Sequence, residues 1–169
     1  MAKHNDSKKI SIALGLIAFI FTILSLYLND AYYNSSFGFF SGSASYYYWG
    51  MVYHIGSLSE TTYWWSSNTS FSSDTINYFV GSFATTLLTL FVSIGAVLLI
   101  IFGFNKGAKT SLIIGGLGAI GTSILFYQGM ESIFTNSSNI ANVSFSIGIG
   151  YIFTIGALIT CFASAAVLK

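Results

Sequence analysis

Residues 79–104, FVGSFATTLLTLFVSIGAVLLIIFGF, contain no charged side chain and no proline. A helix crosses the hydrocarbon core of a bilayer with roughly 17–25 apolar residues, so this stretch reads as a transmembrane span. Three further segments share its character, at about 10–28, 110–134 and 145–168. None of them holds a charge near its middle. The composition of the 169 residues agrees: 54% are hydrophobic and 7% charged, against roughly 25% charged in a soluble domain. A soluble enzyme lacks the charge to cover its surface on these terms, and a disordered chain needs low hydrophobicity. The net charge of +1 and the absence of arginine leave no basic stripe for nucleic acid. The partner that the composition implies is the lipid bilayer.

The order of the spans gives the organisation. The fold class expected is an all-α membrane protein. It is a left-handed antiparallel four-helix transmembrane bundle with a small extracellular β-sheet in the first outer loop, and residues 1–169 form one membrane domain. The first apolar run exceeds the roughly 7–15 residues of a signal peptide's apolar region. It ends in Leu28-Asn29-Asp30 without a small-x-small cleavage site, so it reads as a retained helix. The six lysines are Lys3, Lys8, Lys9, Lys106, Lys109 and Lys169. They occupy the N-terminus, the loop between helices two and three, and the C-terminus. The positive-inside rule makes that side cytoplasmic, in a multi-pass protein of the plasma membrane. Asp30, Glu60, Asp74 and Glu131 then fall outside or at the outer boundary. The inner loop is a tight turn, Asn105 to Lys109.

The large outer loop, 29–78, is rich in aromatic residues: Phe37, Phe39, Phe40, Tyr46, Tyr47, Tyr48, Trp49, Tyr53, Tyr63, Trp64 and Trp65. Aromatic residues favour strands, and Gly/Ser clusters punctuate them. Strands are expected near Phe37–Phe40, Tyr46–His54 and Thr61–Trp65. The short outer loop is 135–144. Sequons at Asn34, Asn68, Asn136 and Asn142 are glycosylation candidates on the outer side; a fifth at Asn5 falls inside. The outer loops have no base except His54 and few acids, which suits an acidic exterior or a glycan-covered surface.

Inside the helices, small residues recur with heptad spacing. They are Ser11, Gly15, Ala18, Thr22 and Ser25 in the first helix, and Ser82, Thr86, Thr89, Ser93 and Ala96 in the second. The third has Ser111, Gly115, Gly118 and Thr122, and the fourth Gly150, Thr154, Ala157, Cys161 and Ser164. Lipid provides no hydrophobic drive for helix association, so close backbone approach and hydroxyl bonds must supply it. A 3.5-residue repeat implies a left-handed supercoil. A second row on helix three, Ser111, Gly115, Ala119 and Ser123, points either to another helix of the bundle or to another protomer.

Chemistry-bearing constellations are absent from the sequence. His4 and His54 lie on opposite sides of the membrane, and the lone Cys161 sits in an apolar run where it reads as a packing residue. Gly115, Gly116 and Gly118 lack the Lys-Ser/Thr of a phosphate loop. No ionisable residue marks a mid-membrane transport site. The expectation is a non-enzymatic protein with no cofactor and no metal. The interface candidates are Tyr46, Tyr47, Tyr48, Trp49, Tyr53, Trp64 and Trp65 in the loop, because aromatic anchors dominate interfaces. Within the membrane they are Ala119 and Ser123. Truncating Trp64 is expected to weaken assembly and leave the monomer inserted.

The layout resembles the claudin-like and tetraspanin-like four-helix membrane proteins. The large first outer loop and Trp49-Gly50-Met51 are similar to claudins, which carry a Trp-Gly-Leu-Trp motif there. Claudin loops are tied by a disulfide, whereas this loop has no cysteine. The resemblance implies a lateral, self-associating or partner-organising role with no catalytic residues. The missing disulfide and the Arg-free, Ile/Ser/Asn/Tyr-rich composition fit an archaeal source. The expected function is a structural or scaffolding protein that self-associates as a homo-oligomer. The alternatives are an accessory subunit of a larger membrane complex (respiratory, secretion or appendage assembly) and, third, a small channel or transporter.

Overall fold

The computed structural model describes residues 2–37, 40–55, 57–66, 71–136 and 143–168. Side chains are described for these except at 2–5, 33–37, 40, 41, 134, 136 and 143–145. In chain order the elements are α1 (Ala2–Tyr27), β1 (Ala31–Phe37), β2 (Phe40–Tyr47), β3 (Gly50–Ile55), β4 (Leu58–Tyr63), α2 (Ser73–Ile101), α3 (Asn105–Asn136), β5 (Val143–Ile147) and α4 (Ile149–Val167). The four helices are long and apolar enough to cross a membrane, and the chain is a multi-pass membrane protein. Helices consecutive in the chain pack side by side, and α1 closes the ring against α4. The five strands form one antiparallel sheet in the order β4-β3-β2-β1-β5. The sheet caps one end of the bundle. The α2–α3 turn lies at the other, with Lys106 and Lys109 just beyond it in α3.

The small-residue seams face inward. Ser11, Gly15, Ala18, Thr22 and Ser25 are buried, the same spacing continues to Asn29 above, and Ser7, four residues below Ser11, is buried as well. On α2 the buried row runs from Thr75 through Phe79, Ser82, Thr86, Thr89, Ser93 and Ala96 to Ile100. On α4 it is Gly150, Thr154, Ala157, Cys161 and Ser164. Hydroxyls bridge the helices where these rows meet. Ser11 and Ser164 each donate to the other's backbone carbonyl, at 3.0 and 2.8 Å. Thr85 and Thr122 share a bond of 2.8 Å, and Thr89 donates to the Gly115 carbonyl of α3 at 3.2 Å. A Cβ at Gly118 would lie 2.6 Å from Thr89 Oγ1, so α2 and α3 approach as closely as glycine allows. On α3 the seam begins at Ala108 and Leu112. Ser111, expected in it, is half-buried beside Leu112.

Several boundaries differ from the sequence expectation. The tight turn is 102–104, not Asn105–Lys109, and both lysines belong to the first turns of α3. Gly103 has φ of 85°. The Phe104 amide returns to the Leu99 carbonyl at 2.8 Å and the Gly103 amide to Ile100 at 3.1 Å, the paired bonds of a Schellman C-cap. The Tyr46–His54 strand is two strands, because the chain turns at Tyr48 and Trp49. The first strand starts earlier, at Ala31, and the third is Leu58–Tyr63 rather than Thr61–Trp65. Residues 38 and 39 of the expected Phe37–Phe40 strand lie outside the described residues. The last helix begins at Ile149. Residues 145–147, read as its start, belong to β5 instead. The run Val143-Ser144-Phe145-Ser146-Ile147 alternates with the period of a strand and pairs with β1 in register Ala31↔Ile147.

Two glycines give opposite expectations. Gly118→Leu forces α2 and α3 apart and should lower stability by about 1–3 kcal/mol. Gly95 has open space around a Cβ, so Gly95→Ala should be neutral or raise stability by up to about 1 kcal/mol, the cost of glycine in a helix. Thermal unfolding in mild detergent, followed by helical circular dichroism, checks both signs.

Candidate functional site

The sheet and bundle meet where α1 runs into β1 and β5 runs into α4. These two junctions lie side by side. The Gly148 amide donates to the Asp30 carbonyl at 2.8 Å, and the Gly150 amide to the Asn29 carbonyl at 2.9 Å. A Cβ at Gly148 would overlap the Asn29 carbonyl, and one at Gly150 would collide with Leu28 O and Asp30 Oδ1. Only glycine permits this approach. It places the Asp30 side chain in the interior, 1% exposed.

Asp30 organises the turn above it. Its Oδ2 accepts from the Tyr48 amide at 3.0 Å, and its own amide donates to the Tyr46 carbonyl at 2.7 Å. Tyr48 points into the bundle, where its hydroxyl bonds Thr154 Oγ1 of α4 at 2.7 Å. Asp30 Oδ1 and Asn29 Nδ2 are buried without hydrogen-bond partners. Burial pushes the Asp30 carboxyl well above the ordinary carboxylate range, opposed only in part by the Tyr48 amide and hydroxyl. Burial also raises the Tyr48 phenol well above its usual value, and the adjacent Asp30 adds to this. Beside Asp30 lies a cavity of about 60 Å³ lined by Phe126, Tyr127, Met130, Ile147 and Tyr151. A second, much smaller void of about 10 Å³ sits on the bundle axis among Thr22, Thr86, Thr122 and Thr154.

The loop aromatics divide between two faces of the sheet. Tyr46, Tyr48 and Trp64 are buried under it. Trp64 stacks on Phe79 with ring centroids 4.1 Å apart, and its indole donates to the Tyr47 carbonyl at 3.0 Å. Phe79 meets Phe126 edge-on at 5.5 Å. These side chains form the plate on which the sheet rests. A second row continues through Tyr47, Trp49, Tyr63, Trp65 and Phe83, with neighbouring centroids 4.8–5.7 Å apart. Trp49 is half-buried and donates to the Leu26 carbonyl at the end of α1, at 2.9 Å.

Of the interface candidates, Tyr53 and Trp65 are thus exposed and Tyr47 and Trp49 half-buried, whereas Tyr46, Tyr48 and Trp64 are core. Ala119 is buried and faces the central void between the helices. Ser123 is half-buried and donates to the Ala119 carbonyl at 3.0 Å. Asn34 lies in β1, flanked by β2 and β5. Asn136 ends α3, while Asn68 and Asn142 lie outside the described residues. Two features escaped the sequence reading. Asp30 was an acid at the membrane boundary with no sign of burial except that Asn29 continues the 4-3-4-3 seam. That β4 is an edge strand of the sheet, with β5 at the opposite edge, follows only from strand order.

Comparison with known proteins finds no matching protein family and no similar characterised protein.

The junction generates two expectations. A carboxyl with a raised folded pKa binds its proton more tightly folded than unfolded. Its stabilising effect is therefore complete below the ordinary carboxylate range and is lost as pH rises through the folded pKa. The unfolding midpoint should fall over that window, and Asp30→Asn should flatten the slope; a pH series of thermal melts checks this. Trp64→Ala should remove a buried anchor and cost about 3–5 kcal/mol. Trp65→Ala, at a residue 58% exposed, should cost far less in the same melts.

Proposed function

We propose that this multi-pass protein is a non-enzymatic structural element that associates laterally with copies of itself through the sheet. With the lysine end in the cytoplasm, the sheet stands on the outer surface. The observation that supports this reading is the edge strand β4. Among the described residues nothing pairs with its outer side, and an uncovered edge is a ready template for another strand. The hairpin tip beside it carries Ile55 and Leu58, the latter 75% exposed, with Tyr53 on the same face. Ala119 is spent inside the bundle, so the outer sheet is the better-supported surface for association.

The register of β4 makes self-pairing specific. Ile55 is opposite Leu58 and Tyr53 opposite Glu60, and the Trp64 amide reaches the Trp49 carbonyl. Antiparallel alternation then commits the amides of Leu58, Glu60 and Thr62 to β3. Those of Ser59, Thr61 and Tyr63 face outward. Two copies paired antiparallel about Thr61 set Glu60 against Thr62 of the other copy. Pairing about Glu60 would oppose two carboxylates and is disfavoured. The first register keeps charges apart and aligns three outward amides.

Thr61→Pro tests this directly. Proline at this position removes an outward amide and leaves the β3 ladder intact, a placement that edge strands tolerate. In nanodiscs or mild detergent the wild type should run as a defined oligomer by native mass measurement. Thr61→Pro should shift it towards monomer by at least tenfold in dissociation constant, with its melting curve little changed. A wild-type monomer, or an oligomer indifferent to Thr61→Pro, would contradict the reading. Co-purification with a fixed set of larger subunits would favour the accessory-subunit alternative.

A further inference from the structure

The four helices differ in length. α4 has 19 residues, about 28 Å at the helical rise, and α1 is uncharged over a similar stretch, Ile10 to Tyr27. Both match the roughly 30 Å of a bilayer's hydrocarbon core. α2 and α3 have 29 and 32 residues. At the lysine end the helices finish together, because Ile12, Leu99, Ile100, Ala108 and Leu168 pack in one cluster. The excess of α2 and α3 therefore projects at the sheet end. For α2 the excess over α4 is ten residues, or about 15 Å, which sets Phe83 level with the start of α4. The same 19 residues counted along α3 from Ala108 reach Tyr127. The sheet continues into the shorter pair, α1 and α4, and leans on the projecting pair through Phe79, Phe126, Met130 and Ile133.

Aromatic side chains collect at this level. Tyr27 ends α1 and is 78% exposed, and Tyr127 of α3 is 64% exposed. Tyr127 lines one cavity with Ile147 at the end of β5 and Tyr151 in the first turn of α4. The sheet supplies the arc from α1 to α2. Trp49 reaches the Leu26 carbonyl in the last turn of α1, and Trp65 meets Phe83 of α2 at 5.5 Å. Tyr63 lies between them, 5.7 Å from Trp49 and 5.2 Å from Trp65. On the lysine side of this level the stretches 10–27, 84–101, 110–126 and 150–167 hold no charged residue. Asp74 and Glu131 stand on the other side of it, in the projecting turns of α2 and α3. A second copy would cover one flank, whereas these rings are distributed over all four helices and are continuous with the apolar surface that faces lipid. Tyr and Trp concentrate where membrane meets water, because each pairs an apolar ring with a polar O–H or N–H.

We propose that the foot of the sheet, the arc Trp49–Tyr63–Trp65, is immersed in the headgroup layer of the bilayer. With Tyr27, Tyr127 and Tyr151 it completes one aromatic girdle around the molecule. The sheet is then a lipid-contacting element in its own right, fixed upright at the membrane surface by its lower edge. The far ends of β3 and β4, with exposed His54 and Ser59, stand in water. This placement follows from helix length and ring level. It requires neither self-association through β4 nor a particular side for the cytoplasm.

The test uses tryptophan fluorescence of the full chain in phosphatidylcholine nanodiscs. Lipids brominated near the headgroup end of the acyl chain should quench the wild type several-fold more than lipids brominated near the chain terminus. Trp65→Phe, which keeps an aromatic ring against Phe83, should lose most of that shallow quenching. Trp64→Phe should retain it, because Trp64 is core. Ser59 lies on the same face of β4 as Tyr63, about 13 Å further along the strand. Ser59→Trp, in a chain that also carries Trp49→Phe and Trp65→Phe, should be quenched by aqueous iodide and not by brominated lipid. Thr61→Pro should leave the lipid quenching unchanged, which separates this result from any result on oligomer formation. Trp65 emission quenched by iodide and untouched by brominated lipid would lift the sheet clear of the membrane and overturn the proposal. Emission reached by neither quencher would assign the row to a protein contact, such as a second copy, and overturn it equally. Lipid quenching of Ser59→Trp would lay the sheet flat on the bilayer and contradict its upright placement.

Discussion

The close crossing of two backbones at Asn29–Asp30 and Gly148–Gly150 is the constraint on which the rest of the structure depends. Because α1 continues into β1 and α4 emerges from β5, one antiparallel pair of chain segments runs through both bundle and sheet. The Ser11–Ser164 hydroxyl pair holds its far end and the two junction amide bonds hold its near end. The sheet is consequently built onto the bundle and not tethered to it. Its inner face is supplied with a floor by Phe79 and Phe126, on which Tyr46, Tyr48 and Trp64 rest.

This crossing also explains a polar residue in an otherwise apolar place. Glycine at 148 and 150 brings the chains so near that the side chain preceding Ala31 has nowhere to go but inward. An apolar residue there would leave the Tyr48 amide without its acceptor. A buried donor without a partner costs about 1–3 kcal/mol. Asp30 answers that need with one oxygen and leaves the other unpaired. The same residue thus supports the turn that aims Tyr48 at Thr154.

The helical half of this arrangement is visible in the sequence because lipid imposes a simple rule. With no hydrophobic gain from helix association, small residues mark contact surfaces, and the rows from Ser11, Ser82 and Gly150 all face inward. Residue 111 departs from its row because the seam of α3 shifts to Leu112. The sheet is less legible. Tyr46 through His54 is a continuous strand-like run, and its turn at Tyr48 is dictated by a distant acceptor, Asp30. The pairing of β5 with β1 joins residues more than a hundred positions apart, so no local pattern announces it. Trp64 and Trp65 are chemically alike and adjacent, yet in the turn that follows β4 one is buried and the other exposed. Local composition does not distinguish them.

Hydrogen exchange on the full chain in nanodiscs, comparing the wild type with Gly150→Val, measures the coupling of sheet to bundle most directly. The account predicts that the amides of β1 and β5 exchange slowly in the wild type. In the variant, protection should be lost from both strands together, although they are far apart in sequence, while the cores of α2 and α3 remain protected. Loss confined to the residues flanking position 150, with β1 still protected, would contradict the claim that the crossing holds sheet and bundle as one body.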